Sequence, residues 1–95
     1  DLTRASLDSA DCRRAVLRNV SAGGLLADTA RFELAELTDF SAPGGAFAKA
    51  RFDGARLTRC RFDRIRAREA VFDGARLVDV SLEGADMTRA LGLRR

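Results

Sequence analysis

Four arginines crowd one short stretch of the chain: Arg61, Arg64, Arg66 and Arg68. Guanidinium groups at that density recognise carboxylates or phosphates through forked pairs of N–H donors. From Lys49 to Arg68 the chain holds Lys49, Arg51, Arg56, Arg59, Arg61, Arg64, Arg66 and Arg68 against only Asp53 and Asp63, while the segments on both sides are weakly acidic. The other reactive side chains are two cysteines, Cys12 and Cys60. The sequence contains no His, so neither Ser-His nor Cys-His activation of a nucleophile is available. Two Cys without His make a poor zinc set. No Gly-rich loop runs into Lys-Ser or Lys-Thr to cradle a phosphate. With no Trp or Tyr, an aromatic platform for single-stranded nucleic acid would need Phe alone. The chemistry that remains is recognition by charge. An enzyme is not expected, and neither a metal nor any other cofactor is expected.

The elements that hold these side chains are set by a repeat. The string ARFDGARL at 50–57 returns as AVFDGARL at 70–77, twenty residues later. A finer period lies beneath it. From Ala5 to Arg89 the chain divides into blocks of five with no insertion or deletion, the first letter mostly Ala and the third mostly Leu or Phe. Five is not the period of a helix, where residues five apart lie about 140° from each other. Nor is it that of a flat strand, where an odd offset changes face. A chain that bends once per block, and so returns its first and third letters inward each time, satisfies the pattern. The twenty-residue copy then counts four blocks per coil.

At that offset the columns become uniform: Leu17, Leu37, Leu57 and Leu77 in one, Cys12, Phe32, Phe52 and Phe72 in another. All six Phe fall on inward columns, which assigns them to packing. Where the third letter shrinks (Ala22, Ala27, Ala42, Ala67) the first letter at or near it grows (Val20, Leu25, Phe40, Ile65), and Gly45 with Phe47 is the opposite trade. Close-packed interiors require this conservation of volume. Glycine recurs at the last letter of two opposite sides, so the sides are expected to alternate between two turn types. Both Cys point inward as small hydrophobes, about two coils or ~10 Å apart, beyond the ~7 Å that a disulfide spans. Unpaired thiols fit a reducing, cytoplasmic compartment, with delivery out of the cell as the alternative. No apolar run is long enough to span a membrane.

Blocks such as ASLDS, AELTD, ARLTR and ADMTR resemble the pentapeptide-repeat family, in the form A-(D/N)-(L/F)-(S/T)-x, and the register covers nearly the whole chain. The resemblance implies an all-β solenoid, a right-handed quadrilateral parallel β-helix of about 4.5 coils, or roughly 22 Å at ~4.8 Å per coil. The second letter is often Arg here, where the family favours Asp or Asn; this changes the surface and leaves the core. The family's roles imply a non-catalytic structural or protein-interaction module, a rigid rod presenting a binding surface within a larger bacterial protein. The alternative is a gyrase-binding DNA mimic that confers resistance to gyrase inhibitors. A mimic needs an anionic field, and the densest charge cluster of this chain is cationic.

Stacking at twenty also sorts the arginines. Arg59 lies between Asp39 and Asp79, Arg56 next to Glu36, and Lys49 next to Glu69. Arg61, Arg64, Arg66 and Arg68 have mostly neutral column neighbours. They are expected to form a basic corner over two adjacent sides, beside a low floor of Gly23, Gly24, Leu26, Pro43, Gly44, Ala46 and Ala48. The expected partner is another protein with an acidic surface. Nucleic acid is not expected. Residues 1–90 are read as one repeat domain and 91–95 as a cap or tail, with Leu91 and Leu93 capping the last coil or meeting another copy end to end.

Overall fold

The computed structural model describes residues 1–93. Four strands form one parallel sheet in chain order: β1 (Val16–Ser21), β2 (Glu36–Ser41), β3 (Arg56–Thr58) and β4 (Arg76–Val78). Every pairing has an offset of twenty, as in Leu17 with Leu37, Leu37 with Leu57 and Leu57 with Leu77. Isolated parallel bridges repeat the offset elsewhere, from Ser6 with Leu26 and Asp11 with Arg31 to Val71 with Leu91. Successive turns of the chain are therefore bonded at four places around the circuit. Within a block, the third-letter N–H bonds forward (Phe32 N to Arg51 O, 2.7 Å) and the second-letter N–H bonds back (Arg51 N to Ala30 O, 3.0 Å). No helix occurs among the described residues.

The core is the stack that the columns require. Phe32, Phe52 and Phe72 lie ring on ring, with centroids 5.1 and 5.0 Å apart and planes within 5° of parallel. Phe47 and Phe62 pack against Phe52 at tilted angles. Residues of the central turns, from Ala22 to Phe72, are buried at the first and third letters, and the same letters of the end turns are only half covered. Gly45 makes room for an aromatic ring: a Cβ there would stand 2.8 Å from Phe47 Cε2.

The corners depart from the expected alternation. All fifth letters from Arg4 to Arg89 have positive φ, and the thirteen that are not glycine lie between 51° and 63°. Glycine therefore does not mark a distinct turn type. What separates the corners is the closing bond from the next first letter to the third letter, present at three corners of the four (Ala50 N to Phe47 O, 3.0 Å; Ala55 N to Phe52 O, 3.0 Å). At the fourth, 18–19 and 38–39 lie inside β1 and β2, and 58–59 and 78–79 bend without it. The first letters after that corner are Val20, Phe40, Cys60 and Val80 rather than the usual Ala. Bulk alone does not set this, since Leu25 keeps its closing bond to Ala22 O at 3.0 Å. The closing bond of Ile65 to Phe62 O, at 3.3 Å, is the longest of the set.

Cys60 uses the freed acceptor, its thiol donating to Leu37 O at 3.3 Å. Both thiols are free. Burial is the main cause that raises the Cys60 and Cys12 thiols above the usual range. Cys12 is half covered in the first turn, and Cys60 is fully buried. A thiol reagent is expected to label Cys12 first in the native protein, and Cys60 only as the chain unfolds; mass spectrometry of timed aliquots reads the order.

Candidate functional site

Second and fourth letters both project outward, because strand residues two apart share a face. Arg61 and Arg66 sit mid-side on adjacent sides, and both hold a bridge to the turn before and after: Ser41–Arg61–Ser81 and Ala46–Arg66–Asp86. Asp63 and Arg64 form the corner between them, and Arg68 begins the next corner. The structure thus places Arg61, Arg64, Arg66 and Arg68 on two neighbouring sides, all four exposed.

Their partners are not all those expected from column stacking. Arg61 reaches Asp63, two residues along its own block, at 3.6 Å. Asp86 meets Arg68 at 3.8 Å, diagonally, rather than Arg66 in its own column. Arg64 and Arg66 have no ion pair among the described residues. The Arg64 stem leans over Gly84, where a Cβ would come within 3.0 Å of its Cγ. On the other side of Arg64, Pro43 and Gly44 are low and exposed, and Ala46 is nearly flush with the backbone. Leu26 is 41% exposed, so the floor beside the arginines is partly apolar.

Elsewhere some of the charges are paired. Arg59 grips Asp39 with Nε at 2.8 Å and Nη2 at 3.1 Å, as expected. Arg56 is not within ion-pair distance of Glu36, nor Lys49 of Glu69; Glu69 takes Arg89 at 3.9 Å. Pairs inside a block are frequent and were not evident from the columns: Arg13 with Asp11, Arg31 with Glu33, and Arg51 with Asp53. Five carboxyls are held below their usual range. Arginine hydrogen bonds do this for Asp11 (Arg13), Glu33 (Arg31) and Asp39 (Arg59). Hydroxyl hydrogen bonds lead for Asp63 (Ser81) and Asp86 (Thr88).

A carboxyl whose folded value is depressed stabilises the fold above its unfolded value, near 4. That contribution is lost as pH falls through the folded value. With no His, no side chain has its ordinary titration range between pH 5 and 8. Thermal melts are therefore expected to be flat across that window and to drop progressively below about pH 4.

At the far end, the ladder continues one residue past Ala90. Leu91 bridges Val71, and Phe72 N donates to Leu91 O at 2.7 Å. The Leu91 side chain is 57% exposed. Gly92 then turns with φ 85°, where any Cβ would strike Asp73. Leu93 comes down beside Gly74, Ala75 and Leu77, around a depression of about 180 Å³. Residues 94–95 of the expected tail lie outside the described residues. Among the described residues no cluster of three or more His, Cys, Asp or Glu could hold a metal, and no helix is long and apolar enough to cross a membrane.

Residues 47–90 match the family model described as pentapeptide repeats, in eight copies. No curated protein matches the chain. Among solved structures it is similar to HetL, a pentapeptide repeat protein involved in heterocyst differentiation regulation, from the cyanobacterium Nostoc sp. strain PCC 7120. The TM-score is 0.49 at 22% identity, over 94% of this chain and 47% of HetL. The chain thus spans about half the length of that protein.

Proposed function

From the match of residues 47–90 to the pentapeptide-repeat model, we propose that the chain is a pentapeptide-repeat, non-catalytic module that presents a rigid basic surface to an acidic partner protein. One observation carries this reading. Arg64 and Arg66 lack an ion pair among the described residues, and with Arg61 and Arg68 they stand on two neighbouring sides beside a low, partly apolar floor. Charges left without internal partners steer encounter with an opposite field. The finer shape belongs to the same proposal: a right-handed, four-sided coil of about 4.5 turns over residues 1–90, carried in a larger bacterial protein. Residues 91–95, through Leu91 and Leu93, serve as the cap or end contact. The free thiols suit a reducing cytoplasm.

The test compares the intact protein with a variant in which Arg61, Arg64, Arg66 and Arg68 are all Ala. A stoichiometric protein partner isolated with the parent should be lost from the variant, and lost from the parent as salt rises. Retention by the variant would reject the basic corner. A supercoiling assay decides the gyrase alternative, since inhibition or drug protection would place the DNA mimic first. For the ends, sedimentation of the chain and of a form stopped after Ala90 separates the two roles of Leu91 and Leu93. Concentration-dependent mass that disappears on truncation means end-to-end contact; lower stability at constant mass means a cap.

A further inference from the structure

Two pairs of arginines stack directly on one another in this fold, and their surroundings differ. Arg31 and Arg51 face each other across a bridge between successive turns. Like charges in direct register repel, and here the chain supplies the counter-charge. Glu33 Oε2 lies 2.8 Å from Arg31 and 3.8 Å from Arg51, and Asp53 takes Arg51 at 2.8 Å. Arg56 and Arg76 stand in the same relation, as register partners of β3 and β4, and both are exposed. Their fourth letters, however, are Thr58 and Val78, themselves register partners. The carboxylate of Arg-Phe-Glu and Arg-Phe-Asp is missing from Arg-Leu-Thr and Arg-Leu-Val. Neither Arg56 nor Arg76 has an ion pair among the described residues. Where the acid would sit there is a depression of about 190 Å³, lined by Arg56, Thr58, Arg76 and Val78.

We propose that this depression binds a tetrahedral dianion, inorganic phosphate or a phosphomonoester, bridging Arg56 and Arg76 as Glu33 bridges Arg31 and Arg51. Two guanidinium charges balance a dianion, and a monovalent anion would cancel only half. Each guanidinium offers a fork of donors to a different pair of oxygens. The Thr58 hydroxyl is a third donor at the same wall, and Val78, 52% exposed, closes the other side with apolar surface. The site faces a different side from Arg61 and Arg66, and it stands whether or not those residues contact a protein. Being open to water, it is salt-sensitive.

The experiment titrates the ¹⁵N-labelled chain with sodium phosphate and, separately, with O-phosphoserine at constant ionic strength, reading the arginine Nε–Hε peaks. Saturable shifts are expected at Arg56 and Arg76 and at the Thr58 amide, half complete at concentrations on the order of millimolar for so exposed a site. The anion that saturates at the lower concentration identifies the source. Arg56→Gln and Arg76→Gln should each weaken binding by about tenfold, the loss of charge-assisted hydrogen bonds. Thr58→Asp, which installs the missing carboxylate, should abolish the response and leave the remaining amide spectrum in place. The proposal fails if neither anion saturates, if shifts spread equally over Arg61, Arg64, Arg66 and Arg68, or if Arg56→Gln binds as well as the parent.

Discussion

Phe52→Ala is expected to lower the unfolding free energy by about 3–5 kcal/mol. The ring lies between Phe32 and Phe72 at stacking distance, with Phe47 and Phe62 against it, and is 1% exposed. Its removal empties the middle of a continuous aromatic column, and the flanking rings cannot close the gap because each is tied to a backbone rung. Arg56→Ala, one block along and on the surface, should cost under ~0.5 kcal/mol. Urea titration of the two variants measures the difference. Equal costs would mean that the five-residue register is misassigned.

The second large effect is at Gly45. Its column reads Ala5, Leu25, Gly45, Ile65 and Ala85, so a leucine there has precedent one turn away. Gly45→Leu is nevertheless expected to destabilise by about 1–3 kcal/mol, the range for overpacking. The first carbon of the new side chain would meet the Phe47 ring at 2.8 Å and Ala42 O at 3.1 Å. Adding Phe47→Ala should recover part of that loss, because it vacates the volume that the leucine needs. The double variant is expected to be more stable than the sum of the single effects by about 0.5–3 kcal/mol. Thermal and urea unfolding of the four proteins close the cycle. Additive effects would show that the two positions do not share volume.

These effects can be anticipated from sequence because inward letters answer to sterics, and sterics act column by column. The trade of Gly45 against Phe47, the burial of Leu25, Phe40 and Ile65, and the Phe32–Phe52–Phe72 stack all follow from stacking the chain at twenty. The corners were less legible. Glycine suggested two turn types, but Leu34, Thr29 and Arg64 take the same left-handed φ without it. The real distinction, a missing closing bond, falls on one of the four corners and does not follow from the size of the next inward residue, since Leu25 keeps the bond and Cys60 lacks it. The surface is legible only in part. Arg59 with Asp39 is a column pair and was visible, whereas Arg61 with Asp63 and Arg31 with Glu33 run along a block, where two outward neighbours lie nearer than the next turn. Long arginine side chains choose among several acids within reach, and letter order alone does not rank them. The unbridged Arg56–Arg76 pair emerges once the two kinds of neighbour are compared side by side.

The constant offset of twenty also governs how the chain closes upon itself. Each ladder bond joins residues about twenty apart, as between Leu34 and Asp53 or Arg31 and Ala10. Twenty is roughly a fifth of the chain, a span typical of slow-folding β topologies. The first circuit must be closed without a template, and its entropy is recovered only when a second circuit lies on it. Every later circuit closes a loop of the same length onto an edge that already exists. Assembly is then a rare start followed by winding in either direction, with the outermost circuits the first to unwind.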